Sequence, residues 1–158
     1  MISFCNQEFV DNDEYNDIFS QFSFKLSDFQ KHAIKGINDS KHVLTTAHTG
    51  SGKTLPAEYA IKYFTDKGKK VVYTAPIKAL SNYLFKELSG KHPHISFGIL
   101  TGDVKFNPDA DCVIMTTEIL RNLLYNKKIH TGNLELSIEI DVYNDVGCII
   151  FDEVHYIN

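Results

Sequence analysis

Residues 47–54 read AHTGSGKT, a glycine-rich stretch between an apolar run and the start of a helical pattern. Its two glycines allow backbone N–H groups to point inward around phosphate oxygens, and the N-terminus of the following helix also attracts an anion. Average residue frequencies produce the pattern A/G-x4-G-K-S/T by chance in about one chain in a hundred of this length. The stretch therefore predicts a phosphate-binding loop, or P-loop, that joins a strand to a helix.

The polar residues of this loop have predicted roles. Lys53 is expected to reach the β- and γ-phosphates of a nucleotide, and the hydroxyl of Thr54 to bind Mg²⁺. His48 is interpreted as a spacer and not as a catalyst. The predicted nucleotide-binding residues of the loop are His48, Thr49, Gly50, Ser51, Gly52, Lys53 and Thr54. The alternative is a glycine-rich connection with a surface lysine and no ligand.

Five short runs around and beyond the loop are predicted to be buried strands. They are rich in Val, Ile, Leu and Tyr and do not alternate with polar residues, as expected when helices cover both faces of a sheet. The predicted strands are His42–Ala47, Lys70–Ala75, Ile95–Leu100, Cys112–Thr117 and Gly147–Glu153.

Helical patterns lie between several of these strands. The predicted helices are Lys53–Lys67, Lys78–Gly90 and Glu118–Lys127, and an earlier helix at Ser27–Ile37 is predicted to be capped by Ser27. Strands that alternate with helices indicate an α/β fold with a doubly wound parallel sheet.

Two carboxylates, Asp152 and Glu153, follow the last apolar run. Adjacent carboxylates at the end of a buried strand are costly unless a cation or a water network uses them. Asp152 is expected to hold Mg²⁺, and Glu153 to orient and deprotonate an attacking water. The predicted catalytic residues are therefore Lys53, Asp152 and Glu153, with ATP and Mg²⁺ as cofactors. The alternative is a strand end that merely reaches solvent.

The composition is that of an ordinary globular protein, with 158 residues of which 43% are hydrophobic and 23% charged. No apolar stretch approaches the roughly 20 residues of a membrane span, and the N-terminus lacks the features of a signal peptide. A reducing compartment, cytoplasm or nucleus, is therefore expected. The three cysteines are widely separated, and Cys112 and Cys148 are predicted to be buried free thiols. The net charge of −4 argues against binding nucleic acid through bulk charge, so any such contact must be local.

Two segments differ from this alternating pattern. Residues 1–23 are acidic and aromatic, and are predicted to be an extension that packs loosely on the domain of residues 24–158, or on something missing from it. Residues 127–146 are predicted to be an insertion before the last strand. Within it, residues 134–140 alternate with period two, which places Glu135 and Glu139 on an outward face.

The sequence DEVH at 152–155, together with the P-loop, resembles the DExH-box helicases of superfamily 2. Further stretches resemble the superkiller-type, exosome-associated RNA helicases: TAPIKALSN at 74–82, TGDV at 101–104 and TTEILR at 116–121. The resemblance begins at about Phe24 and keeps one consistent order to the C-terminus. It implies the first RecA-like domain of an ATP-dependent nucleic-acid helicase, with RNA favoured over DNA as the substrate. Each stretch also lies at the carboxyl end of a predicted strand, which is the edge where open α/β sheets bind ligands.

The resemblance also implies roles for particular residues. Phe24 and Gln30 match the segment that reads adenine, and His155 matches the residue that couples ATP to strand binding. The implied nucleic-acid contacts are Pro76, Ile77, Lys78, Asn82, Thr101, Gly102, Asp103, Thr116, Thr117, Glu118 and Arg121. Taken singly, each of these has an alternative as a tight turn or a helix cap.

A second RecA-like domain is the partner that the resemblance implies, with single-stranded nucleic acid as the substrate. The chain stops just past the carboxylates, so the domain is expected to be truncated after that strand and to hydrolyse ATP barely by itself. Tyr83 replaces the usual Gln of the family, and the stretch 127–145 is longer than in cellular enzymes and resembles helicases of large DNA viruses. Two rival functions stay open: a P-loop ATPase or kinase without nucleic-acid action, and an inactive binding module.

Overall fold

The computed structural model describes residues 5, 7–10, 13–48, 50–125 and 144–156. Thr49 of the phosphate loop and nearly all of the predicted insertion at 127–146 lie outside the described residues. The chain divides into two compact units, Met1–Ala60 and Ile61–Asn158, and each is described by itself.

The first unit contains a helix that begins where the sequence predicts. After a 3₁₀ turn at Asp13–Tyr15 and the short helix α1 (Asn16–Phe19), helix α2 spans Asp28–Asn38. Ser27 is its N-cap, and the Ser27 N–H donates to Oε1 of Gln30 over 2.9 Å, which is one half of a capping box. The capping box satisfies backbone donors that the first helical turn leaves free, so local sequence fixes the start of α2.

The predicted N-terminal extension is bound to α2 in its described part. Tyr15 is buried, and its hydroxyl donates to Asp39 Oδ1 over 2.7 Å. Lys35 Nζ donates to the same hydroxyl over 2.7 Å, and Lys35 and Lys41 both form ion pairs with Asp39. The prediction of loose packing is therefore wrong around Tyr15. A buried hydroxyl requires hydrogen-bond partners, and Asp39 and Lys35 supply two for Tyr15.

The strand predicted at His42–Ala47 is not formed. These residues belong to no helix or strand, and Leu44 is 75% exposed. A strand requires hydrogen bonds to a neighbouring strand, and a β-branched, apolar run does not by itself supply one. The prediction, and with it the expectation that the phosphate loop directly follows a strand, was wrong because a non-alternating apolar run identifies a candidate strand without supplying its partner.

In the second unit, the described residues form a five-stranded sheet. Its strands are β1 (Lys70–Ala75), β2 (Phe97–Leu100), β3 (Lys105–Phe106), β4 (Cys112–Thr116) and β5 (Val146–Phe151), in the order β3-β2-β4-β1-β5. All neighbouring pairs are parallel except β2 with β3. Four of the predicted strands and the parallel sheet are thereby confirmed, and β3 is an additional short antiparallel strand.

The remaining predicted helices are also confirmed. They are α3 (Thr54–Thr65), α4 (Lys78–Lys91) and α5 (Thr117–Tyr125), and a 3₁₀ turn follows the sheet at Val154–Tyr156. The two residues predicted to end α5, Asn126 and Lys127, lie outside the described residues.

The core of the second unit lies on the central strands. β4 is buried along its whole length and β1 after its first residue, whereas β5 at the edge is only partly buried. On one face of the sheet, Val72 of β1 and Met115 of β4 pack against Leu120 of α5. The cysteines are free as predicted, with Cys112 buried and Cys148 half-buried. Burial raises the pKa of both thiols, that of Cys148 to about 11, so they stay protonated near neutral pH.

Candidate functional site: the phosphate loop and the carboxyl edge of the sheet

The phosphate loop lies in the first unit and has the backbone that its glycines predict. Gly50 and Gly52 have φ values of 82° and 84°, a left-handed region that glycine enters without steric cost. Ser51 Oγ donates to the carbonyl of His48 over 2.7 Å and closes the turn. Helix α3 begins at Thr54, directly after Lys53, so its free N–H groups lie at the end of the loop. These features fit an anion-binding turn.

Gln30 connects α2 to this loop. Its Nε2 donates to the carbonyl of Gly52 over 3.1 Å, while its Oε1 accepts from the Ser27 N–H, and the side chain is 7% exposed. A Cβ at Gly52 would lie 2.6 Å from that Nε2, so a larger residue there would displace the Gln30 amide, and the φ of 84° itself favours glycine. The sequence singled out Gln30 as a base contact and did not predict its bond to the loop. Phe24, the other predicted adenine contact, is 55% exposed.

In the second unit, four parallel strands end at one edge of the sheet. The residues that directly follow β1, β2, β4 and β5 are those at 76–78, 101–103, 117–118 and 152–153, respectively. All of them were singled out from sequence as candidate site residues. Because parallel strands share their direction, the topology brings these candidates to a common edge.

Asp152 is held at this edge by both backbone and side-chain contacts. Its N–H donates to the carbonyl of Thr74 over 3.0 Å. Its Oδ1 accepts from the Glu153 N–H over 2.9 Å, and its Oδ2 accepts from the Tyr73 hydroxyl over 3.3 Å. Tyr73 had not been singled out from sequence, because nothing in the pattern of a buried strand distinguishes a tyrosine that packs from one that donates.

Glu153 has an unusual backbone. Its φ is 49°, in the left-handed region that residues other than glycine, asparagine and aspartate rarely adopt. Its Oε2 lies 3.3 Å from His155 Nδ1, and both side chains are well exposed, at 40% and 66%. The predicted catalytic carboxylate and the predicted coupling histidine are therefore in contact.

Asp152 fits a magnesium ligand by the chemistry of its donors. Within the described ranges, no three His, Cys, Asp or Glu side chains converge closely enough to hold a metal ion. Mg²⁺ is usually bound by one or two carboxylates together with substrate phosphates, and less often by a full protein cage. Each oxygen of Asp152 accepts one described hydrogen bond and keeps a lone pair for a cation.

Lys78 and Asp103, both predicted nucleic-acid contacts, form an ion pair. Lys78 Nζ lies 2.6 Å from Asp103 Oδ1, and the side chains are 52% and 70% exposed. A Cβ at Gly102 would lie 3.3 Å from the same Nζ, so the lysine side chain lies across that glycine. The charge of Lys78 is therefore already paired with a carboxylate.

The other predicted nucleic-acid contacts differ in exposure. Thr101 and Thr116 are 3% and 7% exposed. Thr101 Oγ1 accepts from the Val104 N–H over 3.2 Å, and Thr117 Oγ1 donates to the carbonyl of Ala75 over 3.4 Å. Hydroxyls of this kind stabilise the edge itself. The exposed candidates are Ile77, Lys78, Asn82, Gly102, Asp103, Glu118 and Arg121, while Pro76 is half-buried.

Comparison with known proteins gives a consistent result. A family model described as DEAD/DEAH box helicase matches residues 27–158. The chain is 44% identical over 135 residues to the antiviral helicase SKI2 of Saccharomyces cerevisiae, covering 85% of this chain and 10% of that protein. It is 40% identical over 136 residues to the human exosome RNA helicase MTR4, covering 86% and 12%, respectively. The chain thus spans about a tenth of the length of these curated relatives.

A solved structure supports the fold. A crystal structure of a hypothetical ATP-dependent RNA helicase from Sulfolobus tokodaii matches with a TM-score of 0.61 and 21% identity, covering 91% of this chain and 42% of that one. In the part of the chain that the structure describes, no helix is both long and apolar enough to cross a membrane.

Proposed function

Because the chain belongs to the DEAD/DEAH box helicase family, we propose that it forms the ATP-binding part of an ATP-dependent RNA helicase. The observation that carries the proposal is the convergence of four parallel strands whose following residues are all candidate contacts for nucleotide or strand. Such an edge serves a protein that must bind two ligands and link their binding. RNA is proposed as the substrate because relatives such as the human exosome RNA helicase MTR4 are named for it.

The nucleotide is proposed to bind through the phosphate loop. The left-handed glycines direct backbone N–H groups into the turn, Lys53 supplies a positive charge, and Thr54 offers a hydroxyl at the first residue of α3. Gln30 is proposed to sense the base, and its bond to the Gly52 carbonyl links that role to the loop. Its second amide hydrogen has no partner among the described residues of the first unit and is proposed to donate to the base.

The carboxylates are proposed to serve the hydrolytic step. Asp152 would hold Mg²⁺, which when bound offsets the negative charge of the phosphates. Glu153 would accept the proton of the attacking water, and the contact with His155 supports this because a nearby imidazole orients the carboxylate. His155 is in turn proposed to link this carboxylate to strand binding.

The strand is proposed to lie along the exposed candidates of the second unit. Lys78 and Arg121 would contact phosphates, with Asn82 and the backbone of Gly102 adding neutral donors. Neutral donors bind phosphate without a large positive field, so this mode agrees with the net charge of −4. A second RecA-like domain in the whole protein is proposed to complete the motor.

The first test is whether RNA stimulates the ATPase activity of the whole protein that carries these residues. A several-fold stimulation by single-stranded RNA supports the helicase proposal. ATP hydrolysis that is indifferent to RNA and to DNA would instead identify a P-loop ATPase without nucleic-acid action. Comparing RNA with DNA of the same sequence decides the substrate class.

The second test is the substitution Glu153→Gln, which keeps the shape of the side chain and removes its basicity. ATP binding should stay within about twofold, while turnover should fall by about 10²–10⁴, the usual contribution of a general base. The control is Glu87→Gln, the same chemical change on α4, where Glu87 forms an ion pair with Lys91. Unchanged turnover in Glu153→Gln contradicts the role of Glu153.

A further inference from the structure

Tyr73 lies in the middle of β1 and is 1% exposed. The other buried residues of the strand are the apolar Val71, Val72 and Ala75 and the small polar Thr74, and a phenylalanine at position 73 would fill the same volume as the tyrosine ring. Burying a phenolic hydroxyl is costly unless it is hydrogen-bonded. The hydroxyl of Tyr73 donates to Asp152 Oδ2 over 3.3 Å, so the extra oxygen has a specific partner at the functional edge.

The sheet register explains why Tyr73 reaches that carboxylate. Tyr73 is paired with Ile150 on β5, and Asp152 lies two residues beyond Ile150, on the same face of the sheet. The Thr74 carbonyl accepts from the Asp152 N–H over 3.0 Å, and Thr74 Oγ1 donates to the Ile150 carbonyl over 3.1 Å. β1 therefore fixes both the backbone and the side chain of Asp152.

The two oxygens of Asp152 are held by donors on different elements. Oδ1 accepts from the N–H of Glu153, whose left-handed backbone belongs to the turn after β5. Oδ2 accepts from Tyr73 on β1. The Glu153 N–H belongs to the residue next to Asp152, so this bond does not hold the carboxylate to any other element of the sheet. The Tyr73 contact ties the carboxylate to the buried centre of the sheet.

We propose that Tyr73 is a positioning residue that orients the Asp152 carboxylate for magnesium. This inference rests on the proposed role of Asp152 and adds a residue to it. The tyrosine is not itself proposed as a ligand of the metal or the nucleotide. It acts through Asp152, as partners of metal ligands generally do, by restricting the carboxylate to one orientation and leaving its remaining lone pairs open.

The test is Tyr73→Phe in the whole protein, which keeps the buried ring and removes only the hydroxyl. The affinity for a fluorescent ATP analogue is measured with Mg²⁺ and with a chelator, and Mn²⁺ binding to the nucleotide complex is followed by electron paramagnetic resonance. Removing a partner of a metal ligand typically lowers metal affinity by about 10–100-fold. Because the bond is long, we expect about tenfold weaker Mn²⁺ binding, with nucleotide affinity in chelator unchanged.

The matched control is Tyr83→Phe, which removes another tyrosine hydroxyl that is hydrogen-bonded to a carboxylate, that of Glu87. It should leave Mn²⁺ binding unchanged. In an Asp152→Asn background, Tyr73→Phe should have no further effect, because its partner has lost its charge. Thermal unfolding of each variant confirms that it is folded.

The outcomes separate the two claims. If Asp152→Asn does not weaken Mn²⁺ binding, the proposed role of Asp152 is wrong. If Asp152→Asn weakens it and Tyr73→Phe does not, Asp152 keeps its role and the positioning role of Tyr73 is refuted. Equal losses of nucleotide affinity with Mg²⁺ and with chelator would also refute it, since a purely structural defect acts on both.

Discussion

The ion pair between Lys78 and Asp103 predicts that removing a negative charge at one position strengthens RNA binding. Asp103→Asn keeps the size of the side chain and deletes the charge that now occupies Lys78. In the wild-type chain Asp103, 2.6 Å from the lysine, already offsets its charge, and a phosphate proposed to pair with Lys78 gains the full attraction only once Asp103 is displaced. In the variant no displacement is needed.

The magnitude follows from the exposure of the pair. With side chains 52% and 70% exposed, the pair is a surface ion pair, and such pairs contribute about 0.2–1 kcal/mol. Since about 1.4 kcal/mol corresponds to a tenfold change in affinity, Asp103→Asn should tighten RNA binding by about 1.4- to 5-fold. In the wild-type chain the displaced Asp103 carboxylate takes up a cation, and this uptake partly cancels the release of a counterion from the RNA. Asp103→Asn takes up no cation, so its net ion release on binding is larger. The slope of log Kd against log salt should therefore become steeper, by up to about 0.7.

The assay is fluorescence anisotropy with a labelled single-stranded RNA over a series of salt concentrations. Asp109→Asn is the matched control, because it removes the same charge from another surface pair, Lys70 with Asp109 at 3.7 Å. The control should change Kd less than Asp103→Asn does. Equal tightening in both variants would mean that only net charge matters. Weaker binding in Asp103→Asn would mean that Asp103 itself contacts the strand, and either result refutes the reasoning.

Two further predictions concern stability. A Cβ at Gly98 would overlap with the backbone carbonyl of Asn107, so Gly98→Ala should lower the melting temperature by roughly 2–12 °C. The control is Gly90→Ala on α4, where the added Cβ meets open space, and it should leave the melting temperature unchanged or raise it. Calorimetry that finds the two variants alike contradicts this packing. Hydrogen bonds from Lys41, Tyr15 and Lys35 lower the pKa of Asp39, so its contribution to stability is present above its unfolded pKa of about 4 and is lost as the pH falls below that value. Asp39→Asn should therefore flatten the acid side of a melting-temperature profile, and an unchanged acid slope would show that this contribution is absent.

The sheet was predictable where a strand is fully buried and sharply bounded. β1 was predicted with its observed ends because the run Val71–Ala75, in which Thr74 is the one small polar residue, lies between Lys70 and Pro76. Proline sets the second limit, since it favours an extended residue before it and lacks an N–H for the ladder. β4 was predicted to within one residue for a related reason. It is a central strand buried on both faces, and such a strand has a nearly continuous apolar sequence.

The contacts between strands were not predictable in the same way. A local pattern gives the face of each residue but not which strands become neighbours. The bond from Tyr73 to Asp152 and the pair of Lys78 with Asp103 depend on lateral order and register. The false strand at 42–47 has the same origin, because composition favours a strand without supplying a partner. Sequence therefore identified the candidate residues, and the fold determined which of them meet.

The shared edge of the four parallel strands has a consequence for how this chain tolerates change. The candidate residues follow the carboxyl ends of β1, β2, β4 and β5, whereas the first residues of the same strands, Lys70, Phe97, Cys112 and Val146, lie at the opposite edge of the sheet. Substitutions at the opposite edge can therefore change the stability of the sheet without altering the chemistry of the candidate site.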